Sequence, residues 1–104
     1  QLKEVLQEIS VKSSENLSVA DMAKFCGWSS SHFMRWFKKM TGDSFTSYVN
    51  DRRLAEAAEA LCQTDDKILT IAQDAGFMNL SNFNRQFKKR YGVTPREYRE
   101  MIGI

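Results

Sequence analysis

Residues 27–42 read GWSSSHFMRWFKKMTG, and residues 76–92 repeat their pattern as GFMNLSNFNRQFKKRYG. The phenylalanines, the arginine, the paired lysines and the closing glycine recur at an offset of 50, after one extra residue in the second turn. The apolar segments before the two first glycines, residues 22–26 and 71–75, also match. A short helix, a glycine turn and a basic helix with an aromatic stripe form a helix-turn-helix unit. The repeat therefore predicts two such units in one chain.

Hydrophobic spacing and capping residues predict seven helices around this repeat. Five glycines and one proline in 104 residues are too few turn residues for an all-β fold. The predicted helices are residues 2–12, residues 19–26, a helix capped by Ser29 or Ser30 that ends near Gly42, residues 45–63, a short helix from Ile68 to Ala75, a helix through Phe83 and Phe87 to Tyr91, and residues 96–102. Residues 13–16 are predicted as a loop.

Capping motifs mark several of these helix ends. Ser18 with Asp21 resembles a capping box, and Thr94-Pro95-Arg96-Glu97 places a cap, a first-turn proline and a glutamate in order. Residues 45–63 contain several alanines and neither glycine nor proline, which predicts a long, stiff connector. The predicted fold is therefore all-α and a single domain, with a first subdomain (1–43), a linker helix (44–63) and a second subdomain (64–104).

Charge is distributed unevenly along the chain, although its formal net charge is only +2. Residues 31–53 hold five cations and two acidic residues, and residues 81–99 hold six cations and one acidic residue. The remaining residues hold four cations and ten acidic residues. Two basic segments in an otherwise acidic chain predict two surfaces that face an anionic partner.

On a helical wheel, each basic helix separates into an apolar face and a polar face. The apolar positions, which predict core packing, are Phe33, Trp36, Phe37 and Met40 in the first helix and Phe83 and Phe87 in the second. The outward positions are Ser31, Arg35 and Lys38 in the first helix and Ser81, Arg85 and Lys88 in the second, with Asn84 in the place of Met34.

The outward side chains suit the major groove of DNA, which admits one α-helix. Arginine can pair with guanine, asparagine with adenine, serine with either, and an apolar side chain with the thymine methyl group. A single exposed arginine is usually only a surface residue, but its recurrence at one register of two helices favours DNA binding. The lysines one turn further along are predicted to contact phosphates; they are Lys38, Lys39, Lys88 and Lys89.

An enzyme and a helical protein-interaction module are the competing functions. One histidine, no glycine-rich phosphate loop and no convergent set of nucleophiles argue against an enzyme. Cys26, Cys62 and His32 share no metal-ligand spacing, so no metal and no cofactor are predicted, and both thiols are expected to be free. An interaction module would keep the same core, so it stays open at this point, as does nonspecific coating of DNA.

Residues 76–99, GFMNLSNFNRQFKKRYGVTPREYR, resemble the C-terminal signature of AraC/XylS-type transcription regulators. The pattern of Arg53-Leu54, Ala58 and Leu61 is similar to the linker helix of that family. The resemblance covers nearly the whole chain and implies seven helices in two helix-turn-helix subdomains. It also implies sequence-specific binding to adjacent major-groove segments of double-stranded DNA and recruitment of RNA polymerase, as expected of a bacterial activator.

The same resemblance implies base-reading positions. They are Ser31, Met34 and Arg35 in the first recognition helix, and Leu80, Ser81, Asn84 and Arg85 in the second. Leu80 departs from the polar residue often found there, and it can make only apolar contact with a base. Lys67 also departs from the pattern, since a proline frequently precedes the fifth helix.

The cellular setting is predicted from what the chain lacks. No apolar run approaches the ~18 residues of a membrane span, and residues 1–4 have the character of neither a signal nor a transit peptide. A cytoplasmic location without a membrane partner is therefore expected. Because the chain does not begin with methionine, an upstream sensor or dimerisation domain in a longer parent protein is also expected.

Overall fold

The structure is a computed structural model that describes residues 1–15 and 17–102. Over these residues the chain is all-α and forms seven helices, which confirms the predicted fold class. The helices are α1 (Leu2–Lys12), α2 (Val19–Cys26), α3 (Ser30–Thr41), α4 (Phe45–Gln63), α5 (Ile68–Asp74), α6 (Leu80–Tyr91) and α7 (Pro95–Ile102). Asn16, from the predicted loop, and residues 103–104, from the predicted second subdomain, lie outside the described residues.

The chain divides into two compact units, residues 1–50 and residues 51–104. The core of the first unit consists of Val5, Ile9, Met22, Ala23, Phe33, Phe37, Phe45 and Val49. Phe45 meets the rings of Phe33 and Phe37 edge-on, with centroids 5.5 and 5.6 Å away. Because burying one phenylalanine contributes about 1.5–3 kcal/mol, Phe33, Phe37 and Phe45 each stabilise this unit substantially.

The second unit has a core of its own. It consists of Leu54, Ala57, Ala58, Leu61, Ile71, Ala72, Ala75, Phe77, Phe83 and Phe87. Phe77 packs edge-on against Phe83 at 5.0 Å, and Tyr98 packs edge-on against Phe87 at 5.3 Å. The phenylalanines of both basic helices therefore lie inside as predicted, whereas Trp36 is only partly buried against the first core.

Helix α4 contributes to both cores. Its first two turns place Phe45 and Val49 in the first core, whereas Leu54, Ala58 and Leu61 belong to the second. The single domain and its predicted parts, the subdomains 1–43 and 64–104 and the linker helix 44–63, stay predictions.

Three details differ from the sequence predictions. Met40 is 50% exposed rather than part of the apolar stripe, and the rings that pack edge-on against Phe37 come from Phe45 and Tyr48 of the next helix. Helix α7 begins at Pro95 instead of residue 96, and helix α5 ends at Asp74, one residue before the predicted end.

Within residues 1–15 and 17–102, none of the helices combines the length and apolar character that crossing a membrane requires. Cys26 and Cys62 are free and partly buried.

Candidate nucleic-acid interface

The turns that precede α3 and α6 have the same geometry. Gly27 and Gly76 have φ angles of 76° and 101°, in the left-handed region that glycine adopts without strain. The residue after each glycine donates its N–H to the carbonyl five residues back, at 2.8 Å in the first unit and 2.9 Å in the second. The sequence repeat is therefore also a repeat of backbone conformation.

The two recognition helices, α3 and α6, begin and end alike. Each has 12 residues. The side chains of Ser29 and Asn79 accept hydrogen bonds from the backbone N–H three residues later, at 3.2 and 2.9 Å. Ser29 is therefore the cap that the sequence left undecided between two serines. Both helices end at a left-handed glycine, Gly42 and Gly92.

The predicted site residues lie on the surface of these helices. The exposed ones are Ser31, Met34, Arg35, Lys38 and Lys39 on α3, and Leu80, Ser81, Arg85, Lys88 and Lys89 on α6. Asn84 is partly buried, unlike Met34 at the equivalent position, which is 46% exposed. Leu80 is 37% exposed, so the apolar side chain at the start of α6 is accessible.

The cations on these faces are available for an anionic partner. Within residues 1–15 and 17–102, six of them form no ion pair; they are Arg35, Lys38, Lys39, Arg85, Lys88 and Lys89. Arg90, at the end of α6, lies 3.8 Å from the carboxylate of Asp51. These six unpaired cations occupy equivalent positions of the two recognition helices.

Some charges that the sequence assigned to a basic surface have protein partners instead. Arg96 lies 3.8 Å from the carboxylate of Glu100 on α7. Arg99 donates to the backbone carbonyls of Leu61, Thr64 and Asp66 at 2.7 to 3.1 Å. No local pattern could indicate these acceptors, which precede Arg99 by 33 to 38 positions.

Two contacts at the starts of α3 and α6 were not anticipated from the sequence. The Nη2 of Arg85 donates to the Oδ1 of Asn82 at 2.8 Å. The ring of His32 stacks on the ring of Trp28, with centroids 4.4 Å apart and planes 18° from parallel. Helical spacing of three residues allows the contact between Asn82 and Arg85 but does not select it. The contact of His32 involves Trp28, which lies in the turn before α3.

The exposed faces of α3 and α6 supply hydrogen-bond donors and positive charge. Within the described ranges, no group of three or more histidines, cysteines, aspartates or glutamates could hold a metal ion. Exposed arginines and lysines on two helices fit a polyanion, held by charge and recognised by hydrogen bonds.

The matching family model is described as a helix-turn-helix domain and covers residues 22–101. Regulatory protein PocR of Salmonella typhimurium is 37% identical over 101 residues, which are 97% of this chain and 33% of that protein. The chain thus spans about a third of the length of this relative.

Two solved structures have the same fold. A transcriptional regulator from Chromobacterium violaceum, described as containing an AraC-type DNA-binding domain, is 30% identical, with a TM-score of 0.88 and coverage of 96% of this chain and 89% of that one. The DNA-binding domain of the global transcriptional factor AdpA is 24% identical, with a TM-score of 0.91 and coverage of 96% and 90%.

The matching proteins are transcription regulators. The family match therefore does not favour an enzyme or a helical protein-interaction module, the two competing functions. The duplicated turns, the shared caps and the two basic helix faces agree with that assignment. The chain belongs to the AraC-type family of helix-turn-helix transcription regulators.

Proposed function

We propose that α3 and α6 enter adjacent major-groove segments of a DNA duplex, and that Arg35 and Arg85 each read one base pair there. The observation that carries this proposal is their equivalence. Both arginines are exposed, form no ion pair among the described residues, and lie four positions after a serine, Ser31 or Ser81, in the first turn of the helix. An arginine on such a face can donate two hydrogen bonds to guanine O6 and N7.

The other exposed positions supply different base contacts. Ser31 and Ser81 can hydrogen-bond to several base edges, and Asn84 can pair with adenine. Met34 and Leu80 are apolar and accessible, so they suit the methyl group of thymine. Helix α6 would therefore read bases by polar contacts from Ser81 and Asn84 and by an apolar contact from Leu80, which lies in its first turn.

The four lysines of the recognition helices are proposed to contact phosphates. Lys38 and Lys39 lie in the last turns of α3, and Lys88 and Lys89 in those of α6. Phosphate contacts fix the position of a protein on the duplex without distinguishing its sequence. The domain of AdpA, solved in complex with a target DNA, supports DNA as the partner of this fold.

We further propose that the whole protein contains a sensor or dimerisation domain, recruits RNA polymerase as an activator, and works in the cytoplasm. The length of PocR, of which this chain spans 33%, supports additional domains. The absence of a membrane-crossing helix within the described residues is consistent with a soluble setting.

Selection of bound duplexes from a random pool, followed by titration of the selected site, tests base reading. Arg35→Ala and Arg85→Ala are each expected to weaken binding to the selected site by about 1–3 kcal/mol and to relax the preference at one base pair. Arg96→Ala is the matched control, because it removes the same charge from an exposed arginine paired with Glu100. Equal losses on selected and random DNA would assign the two arginines to phosphates instead.

A further inference from the structure

The start of α6 holds Arg85 by a side-chain hydrogen bond that has no counterpart in α3. The Oδ1 of Asn82 accepts from Arg85 Nη2 at 2.8 Å. The backbone of Asn82 is part of the helix cap, because its N–H donates to the Oδ1 of the capping residue Asn79 at 2.9 Å. The cap therefore holds the backbone of Asn82, and the side chain of Asn82 holds Arg85.

The equivalent residue of α3 behaves differently. His32 occupies the register of Asn82, but its ring stacks on Trp28 at a centroid distance of 4.4 Å. Trp28 also packs edge-on against Trp36 at 5.0 Å, so the histidine is the outer member of an aromatic stack. Among the described residues, no hydrogen bond or ion pair holds Arg35.

We infer that Asn82 is a positioning residue that orients the guanidinium of Arg85 before DNA is bound, so that the two recognition helices differ in how they read bases. This inference rests on the proposed base-reading role of Arg85. The second helix presents a pre-set arginine, and the first presents an arginine that must be ordered on binding.

The hydrogen bond leaves Arg85 free to read a base. A guanidinium has five N–H donors, of which the bond to Asn82 uses one. The remaining donors include two that can face guanine O6 and N7 together. Ordering a long side chain at an interface lowers affinity by about two- to tenfold, and a side chain that is already held avoids most of this loss.

A double-mutant cycle tests the inference. It compares four proteins: the wild type, Asn82→Ala, Arg85→Ala and the double variant. Each protein is titrated against the selected site and against the same site changed at the base pair that Arg85 reads. Asn82→Ala is expected to reduce the discrimination between these two duplexes by about two- to tenfold. The same substitution in the Arg85→Ala background is expected to change nothing further. The helix keeps its cap in all four proteins, since Asn79 accepts from a backbone N–H, and circular dichroism verifies this.

The matched control is the same cycle in the first helix, with His32→Ala, Arg35→Ala and the double variant. There the effects of the two substitutions on binding are expected to be additive. An equal effect of Asn82→Ala with and without Arg85 would overturn the inference, because Asn82 would then contact DNA itself. Unchanged discrimination in Asn82→Ala would overturn it as well. Base preference that survives Arg85→Ala would instead overturn the proposed role of Arg85, and the positioning role with it.

Discussion

The guanidinium of Arg99 donates to three backbone carbonyls, those of Leu61, Thr64 and Asp66. These carbonyls lie in the last turn of α4 and just beyond it, where a helix leaves its carbonyls without intrahelical partners. Arginine suits this role because its planar fork carries several donors and because a cation is favourable at a helix C-terminus. A basic residue in a basic segment can thus stabilise the fold of its own unit rather than bind an anion.

The exposed lysines of α3 and α6 are expected to act mainly through release of counterions from DNA. Replacing any phosphate-contacting member of the set Lys38, Lys39, Lys88 and Lys89 by alanine should lower the slope of log affinity against log salt by about 0.9, with base preference unchanged. Titrations at several salt concentrations measure this slope. Lys3→Ala, in α1, removes an exposed lysine outside both recognition helices and serves as the control. An unchanged slope in all four variants would contradict the phosphate assignment.

Helix boundaries are the part of this fold that the sequence predicts best. Each boundary depends on residues three or four positions apart, such as Thr94 with Glu97 or a serine before α3, so the signal is local. The helical wheel also predicts which side of each recognition helix is buried, because the two phenylalanines of each helix are four residues apart and share one face.

Long-range and side-chain contacts could not be predicted in the same way. Met40 is exposed, whereas the rings that pack edge-on against Phe37 belong to Tyr48 and Phe45 of the next helix. The bond between Arg85 and Asn82 is one of several that helical spacing allows. For the candidate site, the sequence therefore predicts which residues face outward, but not which of them already have partners.

The capping box of α7 makes the stability of the second unit depend on pH. Glu97 accepts a hydrogen bond from the backbone N–H of Thr94 at 2.9 Å, and Thr94 Oγ1 accepts one from the N–H of Glu97 at 3.1 Å. The bond from the Thr94 backbone, helped by the Thr94 side chain and the nearby charge of Lys88, lowers the pKa of Glu97. A carboxylate with a lowered pKa stabilises the fold above its unfolded pKa of about 4.3, and this contribution is lost as the pH falls through the folded value.

Glu97→Gln is therefore expected to lower the melting temperature at pH 7, and the difference from wild type should shrink as the pH falls below about 4. Thermal unfolding of both proteins across this range measures the difference. Repeating the comparison at high salt separates the causes, since salt screens the charge of Lys88 but leaves the hydrogen bonds in place. A difference that stays constant down to pH 2 would refute the role of the ionised carboxylate.

At the scale of the whole molecule, the two units are joined through a helix on which both depend. Helix α4 is 19 residues long and supplies residues to each core. The residues of α4 include several alanines and neither glycine nor proline, so a stiff helical connection is expected. Two weakly binding heads on such a connection can together gain about 10² to 10⁴ in affinity over one head, provided that both engage.

The spacing of the two half-sites tests this connection. As a straight helix, α4 spans about 28 Å at 1.5 Å per residue, whereas successive major-groove faces on one side of DNA lie about 34 Å apart.

Inserting about five base pairs between the half-sites turns the second groove away, and affinity should fall to that of a single half-site. Inserting about ten restores the face but adds a further ~34 Å, which a packed helix cannot span, so binding should remain weak. Titration against the three duplexes distinguishes the possibilities, with each half-site alone as the reference. Full recovery at ten base pairs would require a flexible connection or a dimer, because a single chain joined by a continuous α4 has no other way to reach both grooves.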